Sequence, residues 1–107
     1  MGLYNELIIA PELLPDDLKD HFAGWQTRFL TYDFNVIIEI TNEGEIYSHK
    51  ITAKSTIQKR TLIHYTGNFT FYRDLNKTWY EFTILCEKGK LLKLIQVFPK
   101  TGYSITL

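Results

Sequence analysis

The chain reads as all-β: a small curled antiparallel sheet that forms a barrel or sandwich, with at most one short helix near the N-terminus, in one domain spanning residues 1–107. Three observations point there. Apolar and β-branched residues alternate over most of the chain, glycine-containing turn signals interrupt them at short intervals, and a helical period is hard to find. Short strands with frequent turns and hardly any helix suit a sheet that curls on itself.

Leu3 to Ile9 is strand-like, and Pro11 and Pro15 make the following segment an extended connector. Asp16 can cap a turn running through Leu18 to Ala23, with Pro15 before it and Gly24 after it, one helical turn or two at most. Val36 to Thr41 and Glu45 to Ser48 flank Asn42-Glu43-Gly44 and read as a β-hairpin, with Lys50 to Ser55 continuing the second strand. Leu62 to Thr66 and Asn68 to Arg73 read as one long strand bent at Gly67. Trp79 to Glu87 and Leu91 to Phe98 meet at Lys88-Gly89 in the clearest hairpin, and Tyr103 to Leu107 adds a short last strand.

Residues 64–84, HYTGNFTFYRDLNKTWYEFTI, concentrate seven aromatic rings. Alternation sorts them onto two faces, because a strand turns successive side chains to opposite sides. Ile63, Tyr65, Phe69 and Phe71 share one face, and so do Tyr80, Phe82, Ile84 and Cys86; Phe69, Phe71, Phe82 and Ile84 are expected to fill the core. Tyr72, Trp79 and, less clearly from its register, Tyr80 are expected to form a partly exposed aromatic shelf.

A chain of 107 residues, 45% hydrophobic and 15% aromatic, is long enough for one core and too short for two. Its apolar runs fall far below the roughly 20 residues of a membrane-spanning helix, so no membrane association is expected. MGLYNELIIAPELLP lacks the basic region of a secretory signal, and Glu6 stands where the myristoylation pattern wants Ser or Thr. With Cys86 as the single cysteine, these features fit a reducing, cytoplasmic setting. Net charge is zero but uneven: residues 1–45 carry nine acids against two bases, and residues 46–107 carry ten bases against three acids. That asymmetry hints at an anionic partner, unless the two halves pair and neutralise each other.

No catalytic constellation stands out, and the expectation is a protein that is not an enzyme and uses no cofactor. His21, His49 and His64 are scattered, without metal-ligand spacing, and Cys86 reads as a buried inert thiol. Asp16, Asp17 and Asp20 lack a calcium-loop pattern and read as a solvated acidic loop, so no metal site is expected. There is no phosphate-binding glycine loop. Binding is the better reading: Tyr72-Arg73, and Lys77 beside Trp79, place rings next to cations, which is what stacking on a base and holding a phosphate require. The same residues also suit half-buried packing beside solubilising charges. Long nucleic acid is disfavoured, because a large acidic half would lie near any basic groove.

The stretches MGLYNELI, Leu14-Pro15, GWQTRFL, ITNEGEIY, YTGNFTFY and WYEFTILCEKGKLLKL, in that order, resemble a family of small uncharacterised bacteriophage and prophage proteins. The matching motifs are Gln26-Thr27 with Trp25 and Arg28, Gly67 with Phe71 and Tyr72, and Trp79-Tyr80-Glu81; the sequence departs from the pattern at Phe29-Leu30-Thr31-Tyr32. The resemblance transfers no catalytic residue. It implies a phage accessory protein, expected to form a homo-oligomer, in which Trp25, Gln26, Arg28, Tyr72, Arg73 and Trp79 line a pocket for a nucleotide-derived immune signal that the protein sequesters. The rival expectation is a module that binds a host defence or replication protein through an aromatic patch or strand edge. Gln26-Thr27 is either a binding loop or a buried hydrogen-bonding brace.

Overall fold

A computed structural model describes residues 4–28, 36–50 and 60–107, with the side chain of Lys50 outside the description. Strands form where the alternation is cleanest. β1 (Asn5–Ile9) buries Asn5, Leu7 and Ile9, and β3 (Val36–Ile40) buries Val36, Ile38 and Ile40. β2 (Trp25–Thr27) is only three residues long, with Trp25 and Thr27 inward and Gln26 half-buried. β4 (Ile46–Lys50) and β5 (Arg60–Leu62) follow β3 antiparallel to one another. β6 (Gly67–Leu75), β7 (Thr78–Glu87), β8 (Lys90–Phe98) and β9 (Ser104–Thr106) form a meander.

These nine strands of the described residues make one sheet in the order β5-β4-β3-β1-β2-β6-β7-β8-β9. The all-β expectation holds, and its finer geometry needs two corrections. The sheet is mixed, because β1 and β3 run parallel in register Glu6↔Ile37 to Ile9↔Ile40. It also does not close into a barrel. Among the described residues the two ends of the sheet meet at a corner: Glu45 bridges Lys90, the Ile46 N–H donates to the Gly89 carbonyl (2.9 Å), and the Leu91 N–H donates to the Gly44 carbonyl (2.7 Å). A roll pinned at that corner leaves β5 and β9 as edges.

The inner face holds a single core. Phe71 stacks on its cross-strand partner Phe82 at 5.1 Å and 5°, and Trp25 meets both edge-on at 5.1 and 5.6 Å. Such edge-to-face contacts place the positive ring edge against the negative face and add to the area buried. Leu13, Leu14 and Leu18 join this core from the connector, which forms two 3-10 turns, Pro11–Leu13 and Asp16–Leu18, in place of an extended run or a longer helix. Asp16 does not cap; Pro15 occupies that position without a side-chain bond. Tyr103 ties this segment down, its hydroxyl donating to the Leu13 carbonyl at 2.7 Å.

The long strand expected across residues 62–73 is instead two separated pieces. β5 ends at Leu62 beside Tyr47 of β4, and β6 begins at Gly67 opposite Cys86 of β7. Gly67 has φ of +142°, a conformation side chains disfavour, so the chain redirects there. The residues between cross the mouth of the roll, with the Ile63 N–H donating to the Ile46 carbonyl (2.9 Å) and the Tyr65 carbonyl accepting from Gly89 (3.0 Å). The expected extension of β4 over residues 51–55 lies outside the described residues.

The turn between β6 and β7 is Asn76-Lys77, with both φ values positive (52° and 67°). Two such residues match the right-handed twist of a hairpin, but a lysine adopts that conformation at a cost of about 1–2 kcal/mol, against the roughly 0.5–1 kcal/mol of entropy that glycine brings to the unfolded chain. Lys77→Gly is therefore expected to stabilise the domain by about 0.5–1 kcal/mol, read as a rise in urea midpoint at unchanged slope; a lowered midpoint contradicts the assignment of this turn.

Candidate functional site

The outward face of β6 and β7 follows directly from their register. With Leu75↔Thr78 set by the two-residue turn, Tyr72 falls opposite Glu81, Thr70 opposite Thr83 and Asp74 opposite Trp79. Tyr72 and Trp79 are therefore diagonal neighbours on the same side, close enough to interact. Their rings stack at 5.3 Å and 22°, and Trp79 remains 46% exposed. The aromatic shelf expected from the alternation is present in these two residues. Tyr80 is not part of it; it packs against the core from the opposite face.

A groove of about 560 Å³ opens beside this stack, lined by Arg28, Tyr65, Thr70, Tyr72, Trp79 and Glu81, together with Asn68 and Phe69. That volume lies within the range of small-molecule sites, about 300–1,000 Å³. Arg28 follows β2 and is exposed, so it contributes a cation at the flank of the rings. Glu81 is held by the Trp79 indole, whose Nε1 donates to Oε1 at 3.2 Å. Thr70 and Asn68 supply neutral polar groups along the wall. Chemically, the groove offers a ring surface, one guanidinium, one oriented carboxylate and hydrogen-bonding side chains.

Of the six residues expected to form a pocket, Arg28, Tyr72 and Trp79 line this groove. Gln26 lies on the same outer face, directly opposite Tyr72 in the β2–β6 register. Trp25 and Arg73 require correction. Trp25 is fully buried, with its indole N–H donating to the His21 carbonyl at 2.6 Å, because the alternation of β2 turns it inward. Arg73 is one residue past Tyr72 and so faces away from the groove; its guanidinium donates to the Ala23 carbonyl and lies against Gly24. It braces the loop ahead of β2.

The Gln-Thr motif divides the same way. Thr27 is the buried brace, its hydroxyl donating to the Thr70 carbonyl at 2.8 Å, while Gln26 is left on the outer surface. Glu81 and Thr70 were missing from the expected site, although strand alternation puts each beside a ring already assigned to it.

The remaining candidates take structural places. Cys86 is buried, and burial raises its thiol above the ordinary range, which keeps it in the less reactive protonated form. His49 pairs with Glu39, which also accepts from Arg60 at 3.3 Å, and Arg60 lies over the Tyr47 ring at 4.4 Å. That Arg60–Glu39 pair joins the acidic and basic parts of the sequence. His64 is exposed and does not line the groove. Among the described residues, no three His, Cys, Asp or Glu side chains gather to hold a metal ion, and no helix is long and apolar enough to cross a membrane.

Fold and site together define a small all-β domain carrying an aromatic groove, flanked by an arginine, on the outer face of an open sheet. No family model, curated protein or solved structure matches the chain.

Proposed function

We propose that the protein is a non-enzymatic binder of a small nucleotide-type anion, held in the groove beside Tyr72 and Trp79. The observation that carries this reading is the stacked, half-exposed ring pair, with Arg28 lining the same groove. A base stacks on the outer surface of the pair, and Arg28 supplies a charge-assisted contact to a phosphate. Glu81 accepts from an amino group on the base edge, and Thr70 and Asn68 bond the sugar. In the phage setting suggested by the ordered sequence motifs, such binding sequesters a nucleotide-derived defence signal; with no matching family, that part rests on the motifs alone.

Substituting the two arginines gives a clear test, by calorimetric titration with 5′-mononucleotides and cyclic dinucleotides. Arg28→Ala is expected to weaken binding at least tenfold with little change in stability, since a hydrogen bond to a charged group is worth about 1.5–3 kcal/mol. Arg73→Ala is expected to keep ligand affinity and lower stability by about 1.5–3 kcal/mol through loss of its charge-assisted bond to the Ala23 carbonyl. Equal affinity of Arg28→Ala and the unmodified protein refutes the proposal.

A second reading is favoured by the exposed Leu92, Val97 and Phe98 on β8, next to the edge strand β9: a surface that docks on a host protein. It gains ground if no nucleotide binds and a host protein is captured in a manner that depends on Phe98.

A further inference from the structure

We propose that the occupant of the groove is a dinucleotide, and that Phe98 is the seat of its second base; this rests on the reading of the groove as a nucleotide site. Tyr72, Glu81 and Phe98 form one row across β6, β7 and β8, because Tyr72 is paired with Glu81 and Glu81 with Phe98. Trp79 leans toward β6 to stack on Tyr72. Phe98 is left on the far side of Glu81, 58% exposed, the most exposed of the large hydrophobic side chains among the described residues.

Phe98 reaches this place through a bulge. Glu81 is opposite Phe98 while Phe82 is opposite Gln96, so Val97 is an extra residue and both it and Phe98 are exposed. A bulge of this kind re-aims a side chain. Here it is secured by a buried polar residue: the Gln96 N–H donates to the Tyr103 carbonyl and its Nε2 donates to the Pro99 carbonyl, each at 3.0 Å. The result is two successive apolar residues, Val97 and Phe98, exposed at the end of β8.

The spacing suits two bases. Diagonal positions on neighbouring strands are about 7–8 Å apart, and aromatic side chains on adjacent strands of an open sheet face stack successive bases in this way. Thr70 and Thr83 form a cross-strand pair one row along the same face, and Arg28 shares the groove with Thr70. That row takes the sugar and phosphate. Glu81, between the two ring seats, repels phosphate toward Arg28 and accepts from base amino groups. Asp74 and Glu81 on the platform oppose a longer polyanion.

Titration calorimetry on the full chain tests this with the four 5′-mononucleotides, the four 5′-phosphorylated homodinucleotides (pApA and its G, C and U counterparts) and the matching ten-nucleotide homopolymers. For the base that binds best, the dinucleotide is expected to bind about tenfold tighter than the mononucleotide. Phe98→Ala is expected to abolish that excess and leave mononucleotide affinity unchanged. Equal affinity of mono- and dinucleotide, or equal weakening of both by Phe98→Ala, overturns the dinucleotide proposal and leaves the groove reading standing. A homopolymer more than tenfold tighter than its dinucleotide also overturns it, in favour of a strand-binding surface. If neither mono- nor dinucleotides bind, the groove reading fails with it.

Discussion

Trp25→Ala is expected to destabilise the domain by about 4 kcal/mol, in the range measured for large aromatic truncations in close-packed cores. Trp25 touches Phe71 and Phe82 edge-on, and no part of it is exposed. Truncation removes both contacts and leaves the His21 carbonyl without its indole donor. For a domain of this size, each kcal/mol moves the midpoint by about 4–8 °C, so a fall of about 16–32 °C follows. Should the alanine variant fail to fold, Trp25→Phe gives a smaller loss in the same direction. A variant with unchanged stability and lost ligand binding would return Trp25 to the binding site, contrary to its position here.

Gly89→Ala is expected to cost about 3 kcal/mol. Gly89 has φ of +81°, and a Cβ built on it would run into the Ile63 carbonyl oxygen, a backbone atom with no rotamer to adopt. Left-handed backbone contributes about 1–2 kcal/mol and the overpacking about 1–3 kcal/mol. Gly102 separates the two contributions, because it has nearly the same φ, +82°, with nothing within 4 Å of an added Cβ. Gly102→Ala should show the backbone cost alone, about 1 kcal/mol. Equal losses at the two glycines, measured by urea denaturation, would mean that the β7–β8 turn is not wedged against residues 63–65 and that the roll is not pinned there.

Much of the sheet was legible because half-buried strands carry their burial in their alternation. Phe69, Phe71, Phe82 and Ile84 are buried as expected, and the β3–β4, β7–β8 and last-strand assignments hold with small changes at their ends. What alternation does not encode is pairing between distant segments. The parallel β1–β3 contact joins residues about thirty apart, and β2, three residues long, has no period to detect. The same gap explains the site. Trp25 and Arg73 belong to ring-and-cation motifs in the sequence, but one-residue steps from Gln26 and Tyr72 turn them to the other face. Recognising Asn76-Lys77 as a two-residue turn would have placed Tyr72 opposite Glu81; without a glycine the signal was weak.

The two tryptophans allow the central claim to be tested by one experiment. Trp25 is sealed in the core with its indole N–H bonded to the His21 carbonyl, whereas Trp79 is 46% exposed on the groove. Indole N–H resonances of uniformly ¹⁵N-labelled protein, assigned with Trp79→Phe, should be followed during titration with the tightest-binding nucleotide of the calorimetric panel, or with the full panel if none registers there. The Trp79 resonance should shift in a saturable, dose-dependent way while that of Trp25 stays nearly fixed. Saturable binding that leaves Trp79 unmoved, or a panel in which neither resonance responds, would contradict the assignment of this groove as a nucleotide site.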